Sequence, residues 1–232
     1  MNRKIIVLIT AMLALGCATQ GTSRILYYEN VPAQGKNEIV VSKPYTQVWD
    51  IMVKEIAKSY FVINNIDKES RIINLSFSTN SPSEYVDCGK THRTYTVGDK
   101  TEVYDYDTAG PAIFKVAAQR QEHPSFRNYA VFRREAFLEG RSNIYIAPSE
   151  KDNSSTIVTV NSRFILTIRV KGEAFAEHAN GNVFSHGLIP ERTFIWTCNT
   201  NHPEQHDIDE GGKVTCFSKG KLENEILSMV NK

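Results

Sequence analysis

Net charge is what this chain has least of. Lysine and arginine number 27 against 26 aspartates and glutamates in 232 residues. No basic excess therefore points to nucleic acid or to an anionic membrane surface. Catalytic signatures are missing as well: G-x-S-x-G, H-E-x-x-H, the P-loop and G-x-G-x-x-G do not occur. Their absence removes the nucleophile elbow, the zinc-protease helix and the usual phosphate cradles. There is no internal repeat, and after residues 5–15 no apolar run approaches the roughly 20 residues of a membrane-spanning helix. Cysteine is scarce, at four. What the chain does have is 41% hydrophobic and 10% aromatic residues, enough for a substantial core.

The N-terminus carries the clearest pattern. Arg3 and Lys4 precede residues 5–15, where only Thr10 interrupts the apolar series. A basic start, a short apolar stretch and small residues after it have the form of a secretory signal. Within it, the segment MLALGCA at 12–18 resembles the lipobox of bacterial lipoproteins; the alternative is an ordinary signal in which Cys17 is incidental. The resemblance implies that Cys17 is the lipidation site, that residues 1–16 are removed, and that the new N-terminus is acylated. Ala18, where an aspartate would stand in a retained protein, implies sorting to the outer membrane. Three acyl chains, at about 0.8 kcal/mol per buried methylene, would hold the chain there permanently. Residues 17–37 then read as a lipidated tether with one apolar patch, Ile25-Leu26-Tyr27-Tyr28, which either docks on a surface or forms an edge strand.

With Cys17 committed to lipid, Cys88, Cys198 and Cys216 remain. Residues 193–198 and 213–217 alternate apolar and polar residues around a polar loop containing Gly211-Gly212, as in an antiparallel hairpin. A Cys198–Cys216 disulfide across its base would contribute roughly 3 kcal/mol and suits an exported protein. Cys198, His202, His206 and Cys216 also make up the ligand types of a zinc site, but the oxidising setting favours the disulfide and no metal is assigned. Cys88 is then the odd cysteine. Beside Asp87, Lys90 and His92 it is either a reactive thiol of lowered pKa or a buried strand residue. Asp105 and Asp107 lack calcium-loop spacing. Ser185-His186 and Glu177-His178 fall in a Gly- and Asn-rich loop, so no catalytic residue is assigned.

Periodicity predicts a strand at 38–42 and a helix at 43–59, opened by Ser42 and Pro44, with Val48, Trp49, Met52 and Ile56 on its apolar face. Strands follow at 61–66 and 71–78. A turn falls at Gly110-Pro111, with a short helix after it or a long excursion between strands. Long alternating strands occupy 136–147 and 155–170, and Leu222, Ile226, Leu227 and Val230 mark a final amphipathic helix. The expected fold class is α+β: an antiparallel β-sheet packed against an N-terminal and a C-terminal helix, in a single domain at 38–232 with an irregular insertion around 90–135. This order of PYTQVWDIMVKEIAKSYF, VINNIDKESRIINLSF, the long hairpin and a final helix resembles the helix-grip domains of BamC-type outer-membrane lipoproteins.

The expected function is a non-catalytic, lipid-anchored, periplasm-facing envelope protein, a structural or assembly component of an outer-membrane or secretion complex. Its partners are the membrane, through Cys17, and an envelope protein, with no nucleic acid and no cofactor. The alternative is a ligand-binding domain for a lipid or a cell-wall fragment; an enzyme using Cys88 is a third, weaker reading.

Overall fold

The computed structural model describes residues 20–32, 35–118, 126–150, 154–208 and 212–231. The lipobox and Cys17 lie outside the described residues. In chain order the elements are β1 (Thr22–Tyr28), β2 (Glu38–Val41), α1 (Tyr45–Ala57), β3 (Val62–Asp67) and β4 (Ile72–Thr79). A 3-10 turn (Pro82–Glu84) leads to β5 (Val86–Asp87), β6 (Lys90–Val97), β7 (Lys100–Asp107) and β8 (Ala112–Ala117). Then come β9 (Phe126–Pro148), β10 (Thr156–His178), β11 (Val183–Asn199), β12 (Glu204–Asp207), β13 (Lys213–Ser218), α2 (Lys221–Leu227) and a last 3-10 turn (Ser228–Asn231).

Two strands organise the molecule. β9 and β10 are each 23 residues long, roughly 75 Å of extended chain, against the usual 3–10 residues of a strand. They pair antiparallel in one unbroken register from Thr156 opposite Pro148 to His178 opposite Phe126. Strands this long outrun any single neighbour, so each takes two in series. β9 is flanked by β4 along one half and by β8 along the other, and β10 by β2 and then β11. With β3 on β4, this makes a seven-stranded sheet.

One face of that sheet is the core. Ala136, Leu138, Ile144 and Ile146 of β9 alternate with exposed residues, in phase with Val158, Val160, Phe164, Leu166 and Ile168 of β10. Over the β4 half, this face is covered by α1, through Val48, Trp49, Met52 and Ile56, and by α2, through Leu222, Ile226 and Leu227. Over the β8 half it is covered instead by a second sheet, β1–β6–β7. A third small sheet, β12–β13–β5, closes one side. Among the described residues, no helix is long and apolar enough to cross a membrane.

This architecture corrects the expected α+β helix-grip fold. Among the described residues the structure is mostly β-sheet, and the two α-helices are short, at 13 and 7 residues. The final element is not one long gripped helix but two turns of α-helix running into a 3-10 turn. Residues 90–117, expected as irregular, are three regular strands, and residues 112–117, weighed as a helix, are β8. The Ile25-Leu26-Tyr27-Tyr28 patch belongs to β1, paired along its length with β6.

The disulfide is corrected too. Cys216 is bonded to Cys88, not to Cys198, which is a buried free thiol. The reason is register. The expected hairpin contains an additional strand: β12 pairs with β13, so Glu204 and not Cys198 stands opposite Cys216. On its other side β13 pairs with β5, with Phe217 opposite Asp87, and the next step brings Cys216 against Cys88 at a Cα separation of 4.1 Å.

Candidate functional site

The two covers of the core face do not fill the space beneath them equally. Under α1 and α2 the core is solid: Met52, Ile56, Leu138, Ile144 and Val230 have no exposed surface. Under β1–β6–β7 the sheets stand apart around a cavity of about 420 Å³, within the range of about 300–1,000 Å³ typical of small-molecule sites. The difference follows from the side chains. Large aromatic rings hold the layers apart here: Phe114 of β8 stacks nearly parallel on Tyr106 of β7, 5.9 Å ring centre to ring centre, and lies 5.7 Å from Phe132, its neighbour on β9.

The floor is supplied by the large sheet. Phe132 and Arg134 continue the core-facing phase of β9, and Ile168 and Val170 that of β10. Phe194 and Trp196 lie opposite Ile168 and Leu166 on β11. The roof is a row of Tyr27, Thr91 and Tyr106, which occupy matching positions on β1, β6 and β7. At the rim, β11 departs from regular pairing between Val170 and Gly172 and carries Pro190, which an edge strand tolerates.

Three arginines line this apolar space: Arg93, Arg134 and Arg192. They form a series of increasing depth. Arg192 is exposed at the rim, and Arg93 is half-buried. Arg93 donates from Nε to the Tyr106 hydroxyl at 2.9 Å and lies 4.3 Å above the Phe114 ring. Arg134, only 7% exposed, is the deepest. Its Nη1 and Nη2 donate to the carbonyls of Gly110 and Thr108, strapping the turn between β7 and β8, and its guanidinium faces the rings of Tyr106 and Trp196 at 5.6 and 5.9 Å. Burial lowers its pKa to about 10, aided by the nearby Arg93 charge and opposed by Tyr106 and Tyr27. It therefore stays charged at neutral pH. Among the described residues no carboxylate pairs with it.

No family model, curated protein or solved structure matches this chain. The site must therefore be read from its own chemistry.

The residues singled out from sequence are not gathered at this cavity. Cys88 is in the disulfide and is not a reactive thiol. Cys198 is buried, and burial, followed by Glu204 and Glu223, pushes its pKa up to about 12, which leaves it protonated and unreactive. The four-ligand zinc alternative is dismantled because the Cys216 sulfur is committed to Cys88. His206 stacks on Trp196 and shares its Nε2 with the backbone of Thr197, at 2.6 Å from the carbonyl, and His202 bridges to Asn199 in a tight turn. Asp105 bonds His92 at 2.7 Å on the β6–β7 pair. Ser185 donates to Glu173, and Glu177 pairs with Arg127.

Sequence reasoning missed Arg134, although a signal was present. Stepping back by two from Ala136 and Leu138 along the alternating run lands on Arg134 and then Phe132, so a cation falls in phase with the core. Arg93 and Trp196 had no such marker, because sheet pairing alone brings them to the same cavity.

Proposed function

We propose that the chain is a non-catalytic, lipid-anchored protein of the cell envelope whose β-domain binds a small, largely apolar ligand. The anchoring rests on the lipobox resemblance at Gly16-Cys17 and Ala18, which also supports an outer-membrane, periplasm-facing location. The binding rests on one observation, the cavity of about 420 Å³ walled by Phe114, Phe132, Phe194 and Trp196. An aromatic-walled cavity beside a close-packed core is where an apolar ligand gains most from leaving water. The test is titration with the neutral fluorophore N-phenyl-1-naphthylamine, for wild type and for Val170→Trp, which puts an indole into the space. One saturable site, lost in a Val170→Trp variant that keeps its circular dichroism, supports the reading. No saturable site in the wild type, or undiminished binding in the folded variant, contradicts it.

A docking role in an outer-membrane or secretion complex is a second reading. It is favoured by β11, a long edge strand with Val183, Phe184 and Leu188 exposed, since such an edge offers unpaired backbone groups to another chain. Crosslinking in cells that recovers only monomer would count against it.

A further inference from the structure

The face of the large sheet turned away from the core carries a site of a different kind. β10 changes neighbours there: its pairing with β2 ends at Thr159 opposite Glu38, and its pairing with β11 begins at Arg163 opposite Asn199. At this junction lies an open basin of about 480 Å³, lined by Arg141, Asn143, Asn161, Arg163, Asn199 and His202. Register explains the composition. Arg141 stands directly opposite Arg163, and Asn143 directly opposite Asn161, on the exposed face of the β9–β10 pair. Two like charges placed opposite each other on one face of a sheet destabilise it. Among the described residues neither guanidinium has a hydrogen-bond or ion-pair partner. Glu139 follows Arg141 on the same face, opposite Ile165, and pairs with neither of them. Glu204 is taken up by Thr197 and Asn199.

The two central asparagines complete the pattern. Asn74 donates to the Oδ1 of Asn143 at 2.6 Å, and Asn37 donates to that of Asn161 at 3.0 Å. Each carbonyl is thereby turned to a neighbour, and each Nδ2 is left as a donor. Two guanidiniums and two amide nitrogens thus offer donors to one basin, and among its described lining residues none is a carboxylate. What complements such a set is an anion rich in acceptor oxygens.

We propose that this basin binds a phosphate monoester, whether carried by a soluble polyol or by a lipid headgroup. The charges match, since a monoester carries about −1.5 to −2 at neutral pH against two guanidiniums. The oxygens match as well. Its three terminal oxygens accept a fork from each arginine together with N–H groups of Asn143 and Asn161, whereas a carboxylate has only two oxygens to share. A bound phosphate also relieves the repulsion between Arg141 and Arg163, so a pairing that costs the free protein stability favours the complex. The basin is open and polar, which leaves the rest of the ligand in water. It lies on the opposite face of the sheet from the aromatic cavity, so it stands or falls independently of that site.

The test is a two-dimensional NMR titration of the full chain at low ionic strength. The probes are glycerol phosphate, glycerate as the matching carboxylate, and dihexanoyl phosphatidic acid below its micelle concentration. The expected result is saturable shifts centred on Arg141, Asn143, Asn161 and Arg163, with at least one phosphate binding about 10–100-fold more tightly than glycerate. Whichever phosphate binds tighter identifies the carrier. Arg141→Gln and Arg163→Gln should each lose most of that preference. Asn143→Asp keeps the acceptor for Asn74 but exchanges a donor for a negative charge, so it should weaken both phosphates while leaving the fold intact. All three side chains are exposed, and unchanged circular dichroism in each variant separates lost binding from lost folding. Binding of neither phosphate overturns the proposal. Glycerate binding as tightly as the phosphates overturns the choice of phosphate. A preference that survives in the folded arginine variants, or shifts centred elsewhere, overturns the placement.

Discussion

Single residues here carry charges and hydroxyls in places where burial decides their chemistry. Cys198 sits in the core, its thiol pushed up to about 12 by burial and by Glu204 and Glu223. Alkylation at pH 8 should therefore leave it untouched in the native protein and modify it on unfolding. Cys88 and Cys216 should react only after reduction; modification of Cys216 in unfolded but unreduced protein, read by peptide mass, would contradict the assigned disulfide. Tyr95 is buried against Gly21, and its hydroxyl has no hydrogen-bond partner among the described residues. Burial raises its pKa to about 12 from the 10.0 of a free tyrosine. The unfolded chain thus loses this proton first, so the stability that neutral Tyr95 contributes is intact below pH 10 and disappears as pH rises towards 12. Tyr95→Phe should match or exceed the wild type at pH 7, since it removes an unpaired buried hydroxyl, and its Tm should fall less steeply between pH 10 and 12. Parallel Tm curves would contradict this.

At the scale of elements, the pairing of β4 with β9 shows how tightly the sheet is specified. Gly140 lies opposite Phe77, and a Cβ there would come within 2.0 Å of the Phe77 ring. The ring fills the place of the missing side chain. Gly140→Ala should destabilise by about 1–3 kcal/mol or more, and adding Phe77→Leu should recover part of that loss in denaturant titrations, since the two residues share one space. An additive double variant would contradict the contact. The two long strands were legible in part. Residues 136–147 and 155–170 alternate cleanly because one face is solid core and the other water. The burial pattern dissolves at 126–132 and 173–178, where both faces are only half-covered, and at 133–134 two arginines in succession mask the phase in the sequence. Strands β6 and β7 were hidden for the same reason, as thin sheet with charged residues on both faces. The helical periodicity of α1 and the turn at Gly110 were correctly read, being local signals. The Cys88 pairing was not, because β5 is two residues long and only its register with β13 brings the cysteines together.

For the whole molecule, the decisive feature is one sheet face with two unlike covers, a packed helical layer at one end and a sheet enclosing a cavity at the other. The Cys88–Cys216 bond ties residues 128 positions apart and joins the closing β12–β13–β5 sheet to the start of β6, beside the cavity roof. Replacing both cysteines by alanine should cost about 2–5 kcal/mol. That would be seen as a lower Tm, and an unchanged Tm would contradict the structural weight placed on the bond. The chain also has an internal control for the central claim. Of its two tryptophans, Trp196 lines the cavity and Trp49 is sealed in the helical layer. The measurement to make is a two-dimensional NMR titration that follows both indole N–H signals as N-phenyl-1-naphthylamine is added. The account predicts that the Trp196 signal shifts and saturates while that of Trp49 stays in place. Two unmoved signals, or two that move together, would contradict a ligand site between the sheets.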